Sequence, residues 1–221
     1  MGFHYVVNHG IPQELLQQGL HAARSFLCQS QAFKGKYLMD EEGRAGVGYL
    51  QVNNQKLPSR EQYNVNECFI VKREHGPRNI TLEGMPWPQD SEVADDEDQS
   101  GASRKLSFDP QDFRDSVMKC CSAFEKLSLA MLPIYAEALH MPSDYFTPAF
   151  ASPLFRMRLT RYPTTPLGEF GINPHVDSSF FTLLYTTGPG LVVYSAKRKC
   201  FVRALYKPDA MIVNTGQLLA Q

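Results

Sequence analysis

The sequence predicts a mainly β protein with flanking helices, its helices concentrated before about residue 150 and its strands after it. Two observations carry this. Apolar residues recur at helical spacing in two stretches: Leu15, Leu16, Leu20, Ala23, Phe26 and Leu27, then Phe113, Val117, Cys120, Phe124, Leu127 and Met131. From Leu154 onward the period changes. Leu154–Tyr162, Ser178–Thr186, Leu191–Tyr194, Phe201–Leu205 and Met211–Val213 are short β-prone runs separated by Pro, Gly and charged residues. Several short strands with regular turn signals point to a sandwich or barrel.

The elements follow in chain order. Phe3-His4-Tyr5-Val6-Val7 is β-prone and stops at Asn8-His9-Gly10, a turn signal. Pro12 opens a helix, where its missing N–H costs nothing, and the helix runs to about Cys28. Gly43, Gly46 and Gly48 surround a turn before Tyr49-Leu50, and Asn66–Val71 reads as a short strand. Six acidic residues crowd between Asp90 and Asp98, so about 89–105 is expected to be a mobile, solvated loop. Asp109-Pro110 starts the longest helix, which Pro133 should kink or end, with a further turn through Leu139. The expected division is an N-terminal α/β region over 1–150 and a β domain over 151–221.

Composition removes several function classes. The chain has 221 residues, 43% of them hydrophobic, which is enough to bury a core. With 22 basic and 23 acidic residues the net charge is -1, so no global attraction for nucleic acid is expected. The apolar runs are only a few residues long, which excludes a membrane-spanning helix of some 20 residues. Five cysteines, an odd count without C-x-x-C, do not read as a disulfide framework or structural zinc site. No secretory signal pattern opens the chain, and a cytoplasmic location is expected.

The residues that carry chemistry are His175-Val176-Asp177. On a strand or its entry, residues i and i+2 point to one face, so an imidazole and a carboxylate converge. That pair suits a divalent first-row metal, and two histidines with one carboxylate leave positions open on iron. Taken alone, an H-x-D pair is as readily a solvated surface pair. Here Pro174 precedes it and Ser178–Tyr185 follows, a β-prone run able to anchor the ligands.

Four places in the chain together resemble the iron(II) and 2-oxoglutarate-dependent dioxygenases of the isopenicillin N synthase-like group. They are Gly2–Pro12, Arg161-Tyr162-Pro163, His175–Leu184, and the pair Gly190–Val193 with Pro208–Gly216. The resemblance implies a double-stranded β-helix, or jelly roll, with flanking helices. It implies Fe(II) held by His175, Asp177 and a second histidine. It implies 2-oxoglutarate as cosubstrate, with Tyr162 helping to bind a carboxylate, and ascorbate as an accessory. The implied reaction uses O2 to oxidise a small organic substrate, releasing succinate and CO2. His9 sits in the group's Asn-His-Gly turn and is expected to be structural, as are His4, His21, His75 and His140. Asn214 is expected to be a polar brace, and Gly190 and Gly216 turn glycines.

In that group the second histidine follows the aspartate by about fifty to sixty residues, and an Arg-x-Ser for 2-oxoglutarate comes later still. Neither is present by Gln221, and Met1 sits directly on the first motif. The jelly roll is therefore expected to be incomplete, and the 221 residues alone to have little or no oxygenase activity. Two other expectations stand beside the first: a non-catalytic truncated paralogue, and an oxidase resembling isopenicillin N synthase that uses no 2-oxoglutarate.

Overall fold

A computed structural model describes residues 2–39, 46–52, 64–74, 80–97, 103–165 and 170–219. In chain order the elements are β1 (Phe3–Val7), α1 (Gln13–Leu27), α2 (Gln31–Gly35), β2 (Gly48–Leu50), β3 (Glu67–Arg73), β4 (Glu92–Glu97), β5 (Ser103–Phe108), α3 (Pro110–Ala138), β6 (Phe155–Arg161), β7 (Phe181–Leu184), β8 (Val192–Ser195), β9 (Cys200–Arg203) and β10 (Ala210–Thr215). They form two compact units, Met1–Gln13 with His175–Gln221, and Glu14–Pro174. The units are not the sequential halves expected from a division at 150. The reason is pairing: β1 joins β10 across the whole chain, while β6, beyond residue 150, joins β3.

The larger unit is built on the antiparallel sheet β2-β3-β6. One face of this sheet, with Phe69, Val71, Met157 and Leu159, packs on the apolar stripes of α1 and α3. Phe26 of α1 is fully buried at the centre, its ring 4.9 Å from Phe69, 5.6 Å from Phe108 and 5.4 Å from Phe113. Such tilted and offset aromatic pairs are the favoured ones and add to the burial of each ring. The α3 N-terminus is fixed by Asp109, whose carboxylate accepts from the Asp112 N–H at 2.8 Å, with Pro110 at the first helical position. The helix runs through Pro133 rather than ending there. Met131, Leu132 and Ala136 are buried on either side of it, and that packing outweighs one lost backbone bond.

The acidic stretch is also not the loop expected. Glu92–Glu97 pairs with Ser103–Phe108 as an antiparallel hairpin, setting Asp95 opposite Lys105 and Asp96 opposite Arg104. Residues 98–102 lie outside the described residues.

The same sheet face is closed by ions at both of its ends. Glu67, 1% exposed, lies 2.8 Å from Lys34 Nζ and 3.0 Å from Arg161 Nη1, and accepts from the Tyr49 hydroxyl at 2.5 Å. Burial alone would push the Glu67 carboxyl up; the bonds from Lys34, Tyr49 and Arg161 more than offset this and hold it below its ordinary 4.5. Burial, then Glu67 itself, pushes the Tyr49 phenol up. At the other end Arg73 pairs with Glu125 of α3.

The smaller unit is the antiparallel sheet β1-β10-β7 with the hairpin β8-β9. Its central strand is buried, with Met211 and Val213 at 0% exposure. Both neighbours pair with it in register, Tyr5↔Ile212 on one side and Leu184↔Ile212 on the other.

A carboxyl with a depressed folded-state pKa contributes stability that is in place above its ordinary value and is lost as pH falls through the folded value. Glu67→Gln should cost about 3–5 kcal/mol at neutral pH, because Lys34 is left buried without its counter-charge. Urea denaturation from pH 7 downward checks this. The variant should lose less stability than the parent as pH drops below about 4.5.

Candidate metal centre

His175 and Asp177 lie on an irregular segment that leads into β7, not on the strand itself, which begins at Phe181. They converge nonetheless, with His175 Nε2 3.3 Å from Asp177 Oδ1. The strands behind them explain how. Thr182 of β7 and Asn214 of β10 stand directly opposite each other in the register. Opposed residues share a sheet face, and both side chains reach the same carboxylate oxygen. Asp177 Oδ2 accepts from the Thr182 hydroxyl at 2.8 Å and from the Asn214 amide at 2.7 Å. The Ser179 hydroxyl lies 3.2 Å from that of Thr182.

The backbone of this segment is pinned as well. The N–H groups of Gly216 and Gln217 donate to the carbonyls of Phe180 and Asp177, both at 2.9 Å. Gly216 is required by this approach rather than by a turn: a Cβ on it would lie 1.9 Å from the Ser179 carbonyl oxygen. Asp177 is three-quarters buried and His175 is 41% exposed, so the pair opens on one side.

The donor set fits a metal. Two neutral donors fix one oxygen of Asp177 without cancelling its charge, the usual way an outer shell orients a ligating carboxylate. The other oxygen faces the imidazole. An imidazole and a carboxylate are two of the three ligands of a facial iron site. Among the described residues no three of His, Cys, Asp and Glu cluster to hold a metal ion.

Tyr162 belongs to the larger unit, where it follows β6 and is 55% exposed. Its ring rests on Gly171, where an added Cβ would lie 2.7 Å from it. The loop beneath is held in place, since Val65 N–H donates to the Gly171 carbonyl at 2.9 Å and Asn173 donates twice to Asn64 Oδ1. His9 has a structural role, its Nδ1 accepting from the Ile11 N–H at 3.1 Å and closing the turn after β1. His75 lies outside the described residues.

Thr182 was not singled out by the sequence as a residue serving the aspartate. Only its register opposite Asn214 does that, and register is a property of two strands brought together. Asn214 is the brace it was expected to be, and Asp177 is what it braces.

Comparison with known proteins shows what the chain resembles as a whole. Residues 1–90 match the family model described as non-haem dioxygenase in morphine synthesis N-terminal. The 2-oxoglutarate-dependent dioxygenase of Gibberella zeae is 27% identical over 99% of this chain and 56% of its own length. Hyoscyamine 6-dioxygenase of Hyoscyamus niger is 26% identical over 99% of this chain and 59% of its own. The chain is similar to 2-oxoglutarate-dependent dioxygenases over nearly its whole length. The crystal structure of JOX2 in complex with 2OG, Fe and JA has the same fold, with a TM-score of 0.76 at 21% identity over 99% of this chain and 58% of that one. The chain thus spans somewhat over half the length of these relatives.

If His175 and Asp177 hold a metal, Asn214→Ala and Thr182→Ala should each weaken binding of Fe(II), or of Co(II) as a spectroscopic stand-in, by roughly 10–100-fold. The fold should remain, as circular dichroism would show. Affinity equal to the parent in both variants would mean that the carboxylate needs no such support.

Proposed function

We propose that the protein is a non-haem iron(II) and 2-oxoglutarate-dependent dioxygenase that oxidises a small organic substrate with O2, giving succinate and CO2. The observation that carries this is the His175–Asp177 pair, its carboxylate held on one oxygen by Thr182 and Asn214, in a chain similar to 2-oxoglutarate-dependent dioxygenases. The sheet β1-β10-β7 and the hairpin β8-β9 are read as part of a double-stranded β-helix, as the shared fold with JOX2 supports.

When bound, iron supplies the oxidative chemistry that no side chain has. His175 Nε2 and Asp177 would hold it. Thr182 and Asn214 keep the carboxylate in one orientation as ligands exchange, and the Gly216–Gln217 contacts keep its backbone from following. Tyr162 would donate its phenolic hydrogen to a carboxylate oxygen of 2-oxoglutarate. All five cysteines are free thiols, which supports placement in a reducing compartment such as the cytosol.

The test is Fe(II)- and O2-dependent conversion of 2-oxoglutarate to succinate by the natural polypeptide in full. His175→Ala and Asp177→Ala should abolish it. Tyr162→Phe should raise the KM for 2-oxoglutarate several-fold with a smaller effect on kcat. Turnover that survives loss of either His175 or Asp177 would overturn the reading.

A further inference from the structure

The two faces of the sheet β2-β3-β6 treat their arginines differently. On the face packed against α1 and α3, each is met by a carboxylate: Arg161 by Glu67, and Arg73 by Glu125. Alternation along β6 sends Arg156 and Arg158 to the opposite face, where the register sets them across from Lys72 and Ile70. Both arginines are exposed. No carboxylate reaches either one among the described contacts. Lys72 of this face takes Glu74. Arg158 donates to Cys68 Sγ at 3.4 Å, but burial pushes that thiol up, so it stays neutral and offers no counter-charge.

Two guanidinium groups two residues apart on one strand start from Cα atoms about 7 Å apart. They are close enough to repel and to share a ligand. An anion between the two would relieve their mutual repulsion. The supporting strand is paired to β3 over its full length, with Cys68 and Ile70 beside the arginines on the same face at 0% exposure.

We propose that Arg156 and Arg158 form a recognition site for the carboxylate of a small organic acid. The planar forks of two arginines match a planar carboxylate with parallel N–H···O bonds, which a lysine pair cannot reproduce. That the acid is the substrate of the oxidation rests on the function proposed above. The binding itself does not, and it needs neither iron nor O2.

Titration calorimetry without metal, on the natural polypeptide, tests this with aliphatic, aromatic and keto acids, phenylacetate and 2-oxoglutarate among them. Phenylacetamide is the neutral isostere, inorganic phosphate the competing oxyanion, and Lys126→Gln the control for loss of an exposed cation. At least one carboxylate other than 2-oxoglutarate should bind, and Arg156→Gln and Arg158→Gln should each weaken it tenfold or more. Lys126→Gln should match the parent, and the amide should not bind. The double variant R156K/R158K keeps the charge and guards against misfolding; it should weaken binding as well. Binding by no acid, equal binding of amide or phosphate, or affinity unchanged in the arginine variants would each overturn the site. Binding by 2-oxoglutarate alone would overturn its assignment to substrate. Absence of succinate formation with carboxylate binding intact would count against the oxygenase reading and not against the arginine pair.

Discussion

Strand β10 hydrogen-bonds on both edges, to β1 on one side and β7 on the other, and its Met211 and Val213 are sealed from water. That double pairing sets Asn214 opposite Thr182 and brings both side chains to one oxygen of Asp177. Directly after the strand, Gly216 and Gln217 bind the backbone on which Asp177 sits. The orientation of the aspartate is thus inherited from strand register. A slip of one residue would turn Asn214 to the other face of the sheet. The His–Asp pair is local in sequence, but its geometry depends on residues more than thirty positions away.

The larger unit is governed by a different constraint, the carboxylate buried under its closed sheet face. Burying Glu67 is costly unless its oxygens find charged and polar donors. Lys34 and Tyr49 donate to one oxygen and Arg161 to the other, and Lys34 also donates to the Leu27 carbonyl at 2.9 Å. This cluster ties α1, α2, β2, β3 and β6 at one point. It also fixes Arg161, the residue before Tyr162, so the start of the Tyr-Pro segment is anchored to the core although Tyr162 itself is half exposed.

Much of this was legible in the sequence, for physical reasons. Long periodic segments announced α1 and α3, because one stripe of a helix must be apolar when it packs on a sheet. The β-prone runs announced β6, β8, β9 and β10, although Ser178–Thr186 yielded a strand only over Phe181–Leu184. The convergence of His175 and Asp177 was visible from their spacing. What escaped was whatever depends on a distant partner. The acidic stretch looked like solvated loop because its basic counterpart, Arg104 and Lys105, is recognised only once the hairpin is paired. The division at 150 failed because a five-residue strand at the start of the chain pairs with one near its end.

That last pairing has a consequence for synthesis. Val7 meets Ala210, a separation of more than two hundred residues, so the contact is among the least local the chain can make. At about 5–20 residues per second, β1 leaves the ribosome roughly 10–40 s before its partner exists. During that interval it is a short β-prone segment with unpaired edges and no sheet to join. Its small size and the charged and polar residues of the adjoining helix, Gln13, Glu14, Gln17 and Gln18, keep that waiting period from exposing a long sticky surface. The His175–Asp177 pair depends on the same late strand, because Asn214 of β10 holds its carboxylate.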